Sequence, residues 1–149
     1  MRLTFIDTNI IAYARDSRYP DKQELAEAWL GALARQRAGR ISSQVLIEYY
    51  SVAIHPNKLA LPAAAAQADC RALLAWNPLA PDLSLFESAW ALFDRYSLSW
   101  WDALIVAAAL RQECTLLLSE DLQHNLIVDN RLTIINPFAP DAPPPPAAP

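Results

Sequence analysis

Only two glycines, Gly31 and Gly39, occur in 149 residues. That excludes the phosphate-cradling loops built on repeated glycine, both the GxGxxG dinucleotide fingerprint and the Walker loop, and no GxSxG elbow is present. Histidine is equally scarce: with His55 and His124 alone, a zinc site of ordinary Cys/His spacing is out of reach. Cys70 and Cys114 stand far apart and form no CxxC pair. No signal peptide opens the chain, so they are expected to be reduced, buried thiols of a cytoplasmic protein. No apolar run reaches the length of a bilayer span, so no membrane partner is expected. Basic residues are outnumbered by acids, 12 to 16, for a formal charge of −4. With no basic tail or run, a broad positive face for non-specific DNA binding is excluded. A nucleic-acid enzyme whose own site is acidic and carries metal ions is not.

What is present is an apolar chain, 54% hydrophobic and 19% charged, long enough for one domain with a substantial core. The run Leu3-Thr4-Phe5-Ile6 reads as a buried strand, and Ile10 to Ala14 suits a helix. Asp21 and Glu24 form a capping-box pattern for a helix to about Ala38, which Gly39 ends. Arg40-Ile41-Ser42 suits a short strand, and Ser43 can cap a helix from Gln44 to Ile54 that Pro56 stops. Pro62 fits the first turn of an alanine-rich helix to Trp76. Ser84 with Glu87 opens another helix, to about Tyr96. SWWDALIVAAAL, residues 99–110, is a helix apolar on every side and therefore destined for the core, running to about Glu113. Thr115 to Leu118 and Leu132 to Ile135 complete the strands. Short strands alternating with helices predict a parallel sheet covered on both faces. From Pro137 onward seven of thirteen residues are proline, which places residues 139–149 outside the core as a proline-rich tail.

In open parallel sheets ligands bind beyond the carboxyl ends of the strands. Asp7 directly follows one strand, and Asp121 lies three residues after another. Glu48 sits in the second turn of the helix after the Ile41 strand, and Asp102 in the first turn of the apolar helix. Each has a local explanation, since Asp7 and Asp102 can serve helix ends, Asp121 a helix dipole, and Glu48 an exposed helix face. Their shared location is what argues against four coincidences. Four such carboxylates would repel one another, and a divalent cation resolves this. Mg²⁺ takes hard oxygen ligands, typically one or two carboxylates plus substrate phosphate, and retains several waters. Thr8, Asn9, Ser43 and Ser119 are polar residues placed to support such a site.

Taken in order, Asp7-Thr8-Asn9, Glu48, Trp101-Asp102-Ala103-Leu104-Ile105 and Ser119-Glu120-Asp121-Leu122-Gln123-His124 resemble a PIN-domain ribonuclease, and more narrowly the VapC toxin of a type II toxin–antitoxin pair. The resemblance runs from Phe5 to Asn136-Pro137-Phe138, so the domain is expected to occupy residues 1–138. It implies a three-layer α/β/α, Rossmann-like fold with a short central parallel sheet. It also implies RNA cleavage dependent on Mg²⁺ or Mn²⁺, homodimerisation, and a cognate antitoxin that covers the acidic cleft. Carried onto this chain, Asp7, Glu48, Asp102 and Asp121 become the catalytic acids, with Asp7, Asp102 and Asp121 on the metal. Asn125 stands where related sequences commonly have glycine, and asparagine tolerates the left-handed conformation that such a turn needs. Trp100 and Trp101 are candidates for base stacking or for packing.

Two other readings use the same residues. An Asp-nucleophile phosphatase would want a second acid two residues after Asp7, where this chain has Asn9. An interaction module that kept the fold and lost its chemistry would be marked by a missing acid, and all four are present.

Overall fold

In the computed structural model, which describes residues 2–147, the first apolar run forms β1 (Thr4–Ile6), buried along its whole length. Met1, Ala148 and Pro149, at the ends of the expected domain and tail, lie outside the described residues. α1 (Thr8–Tyr13) and α2 (Pro20–Gln36) follow, then β2 (Gly39–Arg40), α3 (Ser43–Ile54) and α4 (Ala63–Leu73), which tightens into a 3-10 turn at Leu74–Trp76. α5 (Leu83–Tyr96) and α6 (Trp100–Arg111) lead to β3 (Leu116–Leu118), and β4 (Ile127–Val128) and β5 (Leu132–Ile135) close the sheet. The strand order is β2-β1-β3-β5-β4. All neighbours are parallel except β4 and β5, so the sheet is mostly rather than wholly parallel. Two residues are too few to show a period of two, which is why β4 has no signal in the sequence.

The helices gather into two groups, which gives the expected α/β/α layering. α1 packs on α2 and α3, and α3 on α4, while α5 packs on α6 and α6 on β3. α6 owes its place to its composition. Every residue from Ala103 to Ala109 is buried, so the helix has no solvent face over that stretch. Each large side chain fully buried there contributes about 1.5–3 kcal/mol. Among the described residues no helix is long and apolar enough to cross a membrane. Both thiols are free, but only Cys114 is buried, which pushes its thiol up to about 12, whereas Cys70, expected to be buried, is partly exposed on α4.

Several helix ends differ from expectation. α2 begins with Pro20 in its first turn and Tyr19 as a cap without a side-chain bond, so Asp21 serves the helix dipole and not a capping box. α5 is capped by Asp82, which accepts from the Leu85 N–H at 2.7 Å, while Ser84 accepts from Arg111. Ser42, not Ser43, occupies the cap position of α3. Among the described residues, eight that are not glycine adopt positive φ, including Arg37 at the end of α2, Glu113 after α6 and Asn125. Asp129 and Asn130, both left-handed, turn β4 into β5.

Gly39 does not end α2; it lies in β2, paired with Thr4. A methyl group there would stand 1.9 Å from Cζ3 of Trp76, so the indole lies directly on the glycine's backbone. Gly39→Ala must therefore displace Trp76. We expect it to cost about 1–3 kcal/mol in urea unfolding, and less than half of that in a Trp76→Leu background, where the ring is gone. An equal cost in both backgrounds would place the strain elsewhere.

Candidate active site

Strand pairing builds the centre of the site. β1 and β3 run side by side with Ile6 opposite Leu118, so the residues that follow each strand, Asp7 and Ser119, emerge together. Ser119 Oγ donates to Asp7 Oδ2 at 2.7 Å and accepts from the Asp121 N–H at 3.1 Å. Asp7 also caps α1, its Oδ1 accepting from the Thr8 N–H at 2.8 Å, so the helix-end reading holds. In the first turn of α1, Asn9 reaches back. Its Nδ2 donates to Asp121 Oδ2 at 3.1 Å and to Asp7 Oδ2 at 3.3 Å, and its Oδ1 accepts from the Glu120 N–H at 3.1 Å. The Thr8 hydroxyl donates to Glu48 Oε1 at 2.9 Å, joining α1 to α3.

Asp7, Glu48, Asp102 and Asp121 line one cleft of about 1040 Å³, together with Thr8, Asn9 and Ser43. Ser119 lies fully buried beneath it and acts on it through Asp7. The Ser43 N–H is committed to the Leu79 carbonyl at 3.0 Å. Ser99 caps α6 by accepting from the Asp102 N–H at 3.1 Å, so the cap is the serine's work.

Charge ties the four acids together. Asp7 is 6% exposed, and its hydrogen-bond donors, Thr8, Asn9 and Ser119, are all neutral. Burial pushes its carboxyl up to about 6, against the Ser119 and Thr8 hydrogen bonds, and the charges of Glu48 and Asp121 add to the rise. Burial also raises Asp102, against Ser99, and again Asp121 contributes. Among the described residues no three Asp, Glu, His or Cys side chains are arranged to enclose an ion by themselves. A buried carboxylate facing other carboxylates, with neutral groups as its hydrogen-bond donors, fits an ion that takes one or two protein oxygens and keeps its waters.

Further residues line the cleft. Arg18 and Lys58 put positive charge on its wall, with Arg18 clasped bidentately by Asp16. Ile47 and Trp101, 71% and 62% exposed, are its apolar edge. Each directly precedes one of the acids, Glu48 and Asp102; Trp101 was a candidate for stacking or packing from the sequence, and for Ile47 that adjacency was the available signal. Trp100 instead packs 6.1 Å from the rings of Phe86 and Trp90. Glu120 pairs with Lys22 and accepts from the Tyr13 hydroxyl at 2.7 Å. His124 faces the backbone of Asn136 and the carboxylate of Asp141.

Comparison with known proteins places these features in context. The family model of the PIN domain matches residues 4–128. Three solved structures share the fold. A toxin–antitoxin complex from Klebsiella pneumoniae aligns with a TM-score of 0.63 and 21% identity, over 91% of this chain and 98% of that one. VapC20 of Mycobacterium tuberculosis, described as a sarcin-ricin loop cleaving toxin, gives 0.52 and 17%, over 76% and 86%. VapBC2 of Rickettsia felis, bound to a promoter DNA fragment, gives 0.50 and 18%, over 89% and 96%. Comparison with curated proteins gives no match.

The raised carboxyl of Asp7 has a thermodynamic signature. A folded-state value of about 6 against an ordinary 3.8 means that the native protein holds this proton more tightly than the unfolded chain. Native stability therefore falls as pH rises from about 4 to about 6, and the loss is complete above that. In metal-free protein Asp7→Asn removes the cost. Urea titration at pH 7.5 should find the variant more stable by up to about 3 kcal/mol, and the gap should close below pH 4. Equal stability at pH 7.5 would contradict this account.

Proposed function

Since the chain belongs to the PIN domain family, we propose that it is an endoribonuclease, dependent on Mg²⁺ or Mn²⁺, that serves as the toxin of a toxin–antitoxin pair. The observation that carries this reading is the convergence of Asp7, Glu48, Asp102 and Asp121, from four separate segments, on one cleft. Asp7, Asp102 and Asp121 are the residues that would hold the ion. When bound, the ion lowers the pKa of a coordinated water and offsets negative charge on the phosphoryl oxygens. Ser119 and Asn9 fix the Asp7 carboxylate from the protein side, and Asn9 sets Asp121 relative to it. Thr8 occupies one oxygen of Glu48, the fourth acid of the catalytic set. Ser43 stands at the cleft as a polar support. Arg18 and Lys58 on the wall offer positive charge to an RNA backbone.

The toxin assignment draws on the family and on the descriptions of the structural neighbours, which name toxins in complex or in action. Apolar surface supports protein partners. Ile47 and Trp101 border the cleft, and Leu83, Trp90 and Phe93 are exposed on α5. We assign these surfaces to a second copy of the chain and to a cognate antitoxin, in the cytoplasm where the RNA substrate lies. Light scattering at tens of micromolar should report a dimer mass for the isolated chain. A monomer at that concentration counts against the homodimer.

The decisive measurement is cleavage of structured and single-stranded RNA with Mg²⁺ or Mn²⁺, with and without EDTA. Wild type and Glu27→Gln, a change on the exposed face of α2, should cut equally. Asp7→Asn and Asp102→Asn should keep the wild-type circular dichroism spectrum and lose at least about a hundredfold in rate. If both folded variants cut as well as wild type, the metal-nuclease reading fails.

A further inference from the structure

The loop that carries Asp121 is held at the edge of the cleft by contacts with residues 136–141. Tyr13, Lys22, Glu120 and Phe138 form one cluster. The Phe138 ring packs edge-on against Tyr13 with centroids 5.2 Å apart, and Lys22 Nζ lies 5.2 Å from the Phe138 centroid and 4.7 Å from that of Tyr13. Lys22 pairs with Glu120, which also accepts from the Tyr13 hydroxyl. A second set of bonds closes the far end of the same loop. The Asn136 N–H donates to His124 Nδ1 at 2.9 Å, which leaves Nε2 to carry the proton and donate to Asp141 Oδ1 at 2.9 Å. Asn125 Nδ2 donates to Asp141 Oδ2 at 3.1 Å. Residues 120, 124 and 125 are thus tied to residues 136–141, and Asp121 lies between these ties.

None of these side chains is among the candidate ligands, yet the chain of bonds ends on them. Glu120 donates its N–H to Asn9 Oδ1, and Asn9 Nδ2 holds both Asp7 and Asp121. The ends of the loop hang from β5, the Ser119 N–H donating to the Ile135 carbonyl and the Asn125 N–H to that of Ile134, and Leu122 is buried; between them, Asn9 and Ser119 are the side chains that bond Asp121 against the charge of its neighbours Asp7 and Asp102. A loop loaded with like charge will move its acid outward unless its backbone is fixed. We propose that Lys22 and Phe138, with Asp141 as the outer tie, are positioning residues of the site: the segment 136–142 is a strap that sets the 119–125 loop so that Asp121 faces Asp7 before any ion arrives. The proposal deepens the metal-nuclease reading and rests on it for the role of Asp121.

Two measurements on the full-length chain test it. The first is hydrogen exchange of the 119–125 amides in metal-free protein, and the second is direct calorimetric titration with Mn²⁺. Lys22→Met, Phe138→Ala and Asp141→Ala are compared with wild type, with Lys22→Arg as the conservative exchange. Lys22→Met and Phe138→Ala should quicken exchange in the loop about tenfold while the β1 and β3 amides keep their wild-type rates. The same variants should weaken Mn²⁺ binding about tenfold, the range typical of partners behind the ligands. Asp141→Ala, whose side chain is exposed and whose loss leaves the core intact, should show a smaller change of the same sign. Lys22→Arg should stay within about twofold of wild type on both counts. Unchanged exchange and unchanged affinity overturn the proposal. So does faster exchange with wild-type affinity, which would make the cluster packing alone. A wild-type chain that takes up no Mn²⁺ overturns the metal reading instead, and the exchange comparison, made without metal, then decides on its own whether the strap sets the loop.

Discussion

A carboxylate buried at the end of β1 among neutral donors, with other acids as its nearest charges, is the constraint around which this domain is arranged. Leaving Asp7 there is costly, because burial favours its protonated form and Glu48 and Asp121 oppose its charge further. The surrounding structure meets that cost with geometry. Parallel pairing of β1 and β3 brings Ser119 under one oxygen, the first N–H of α1 meets the other, and Asn9 spans to Asp121. The three contacts orient the group without neutralising it. Such a site is stable enough to fold and is left with unbalanced charge pointing into open space.

The apolar helix supplies the opposite boundary. α6 is buried from Ala103 to Ala109, so its first turn cannot shift to relieve the charge on Asp102 without dragging core side chains into water. Ser99 satisfies the helix end, which leaves the aspartate to the cleft. The positive end of the helix dipole lies beside the acids and offsets part of their repulsion. One side of the cleft is therefore as rigid as the core, whereas the Asp121 side is a loop. That difference in stiffness explains why the loop carries so many ties to the rest of the chain.

How much of this could be read from the residues depends on how local each cause was. Asp7 and Asp121 follow runs of strand-forming apolar residues, and Asp102 opens a helix that can only be buried, so their shared rim was visible from pattern and sheet rules alone. Glu48 was placed by the same rule, and Asn125 in a left-handed turn followed from its own chemistry. Helix starts were less legible, because several polar residues near α2, α3 and α5 could have capped them and only packing chose among Asp82, Ser84 and Pro20. The contact of Trp76 with Gly39, the Lys22–Glu120 pair and the attachment of Asp141 join residues far apart in the chain, and no periodicity reports such meetings.

The eight left-handed residues that are not glycine deserve a different accounting. A glycine in each of those turns would adopt the conformation freely, but it would also multiply the shapes open to the denatured chain. Arg37, Ala60, Asn77, Ser97 and the others reverse that exchange, accepting a little local strain when folded for a smaller conformational entropy when unfolded. The strain, about 1–2 kcal/mol per site, exceeds the gain of about 0.4–1 kcal/mol in the denatured chain. A glycine-poor chain can therefore turn as sharply as a glycine-rich one, at a modest net cost in stability. Its turns are also partly chosen before the sheet assembles.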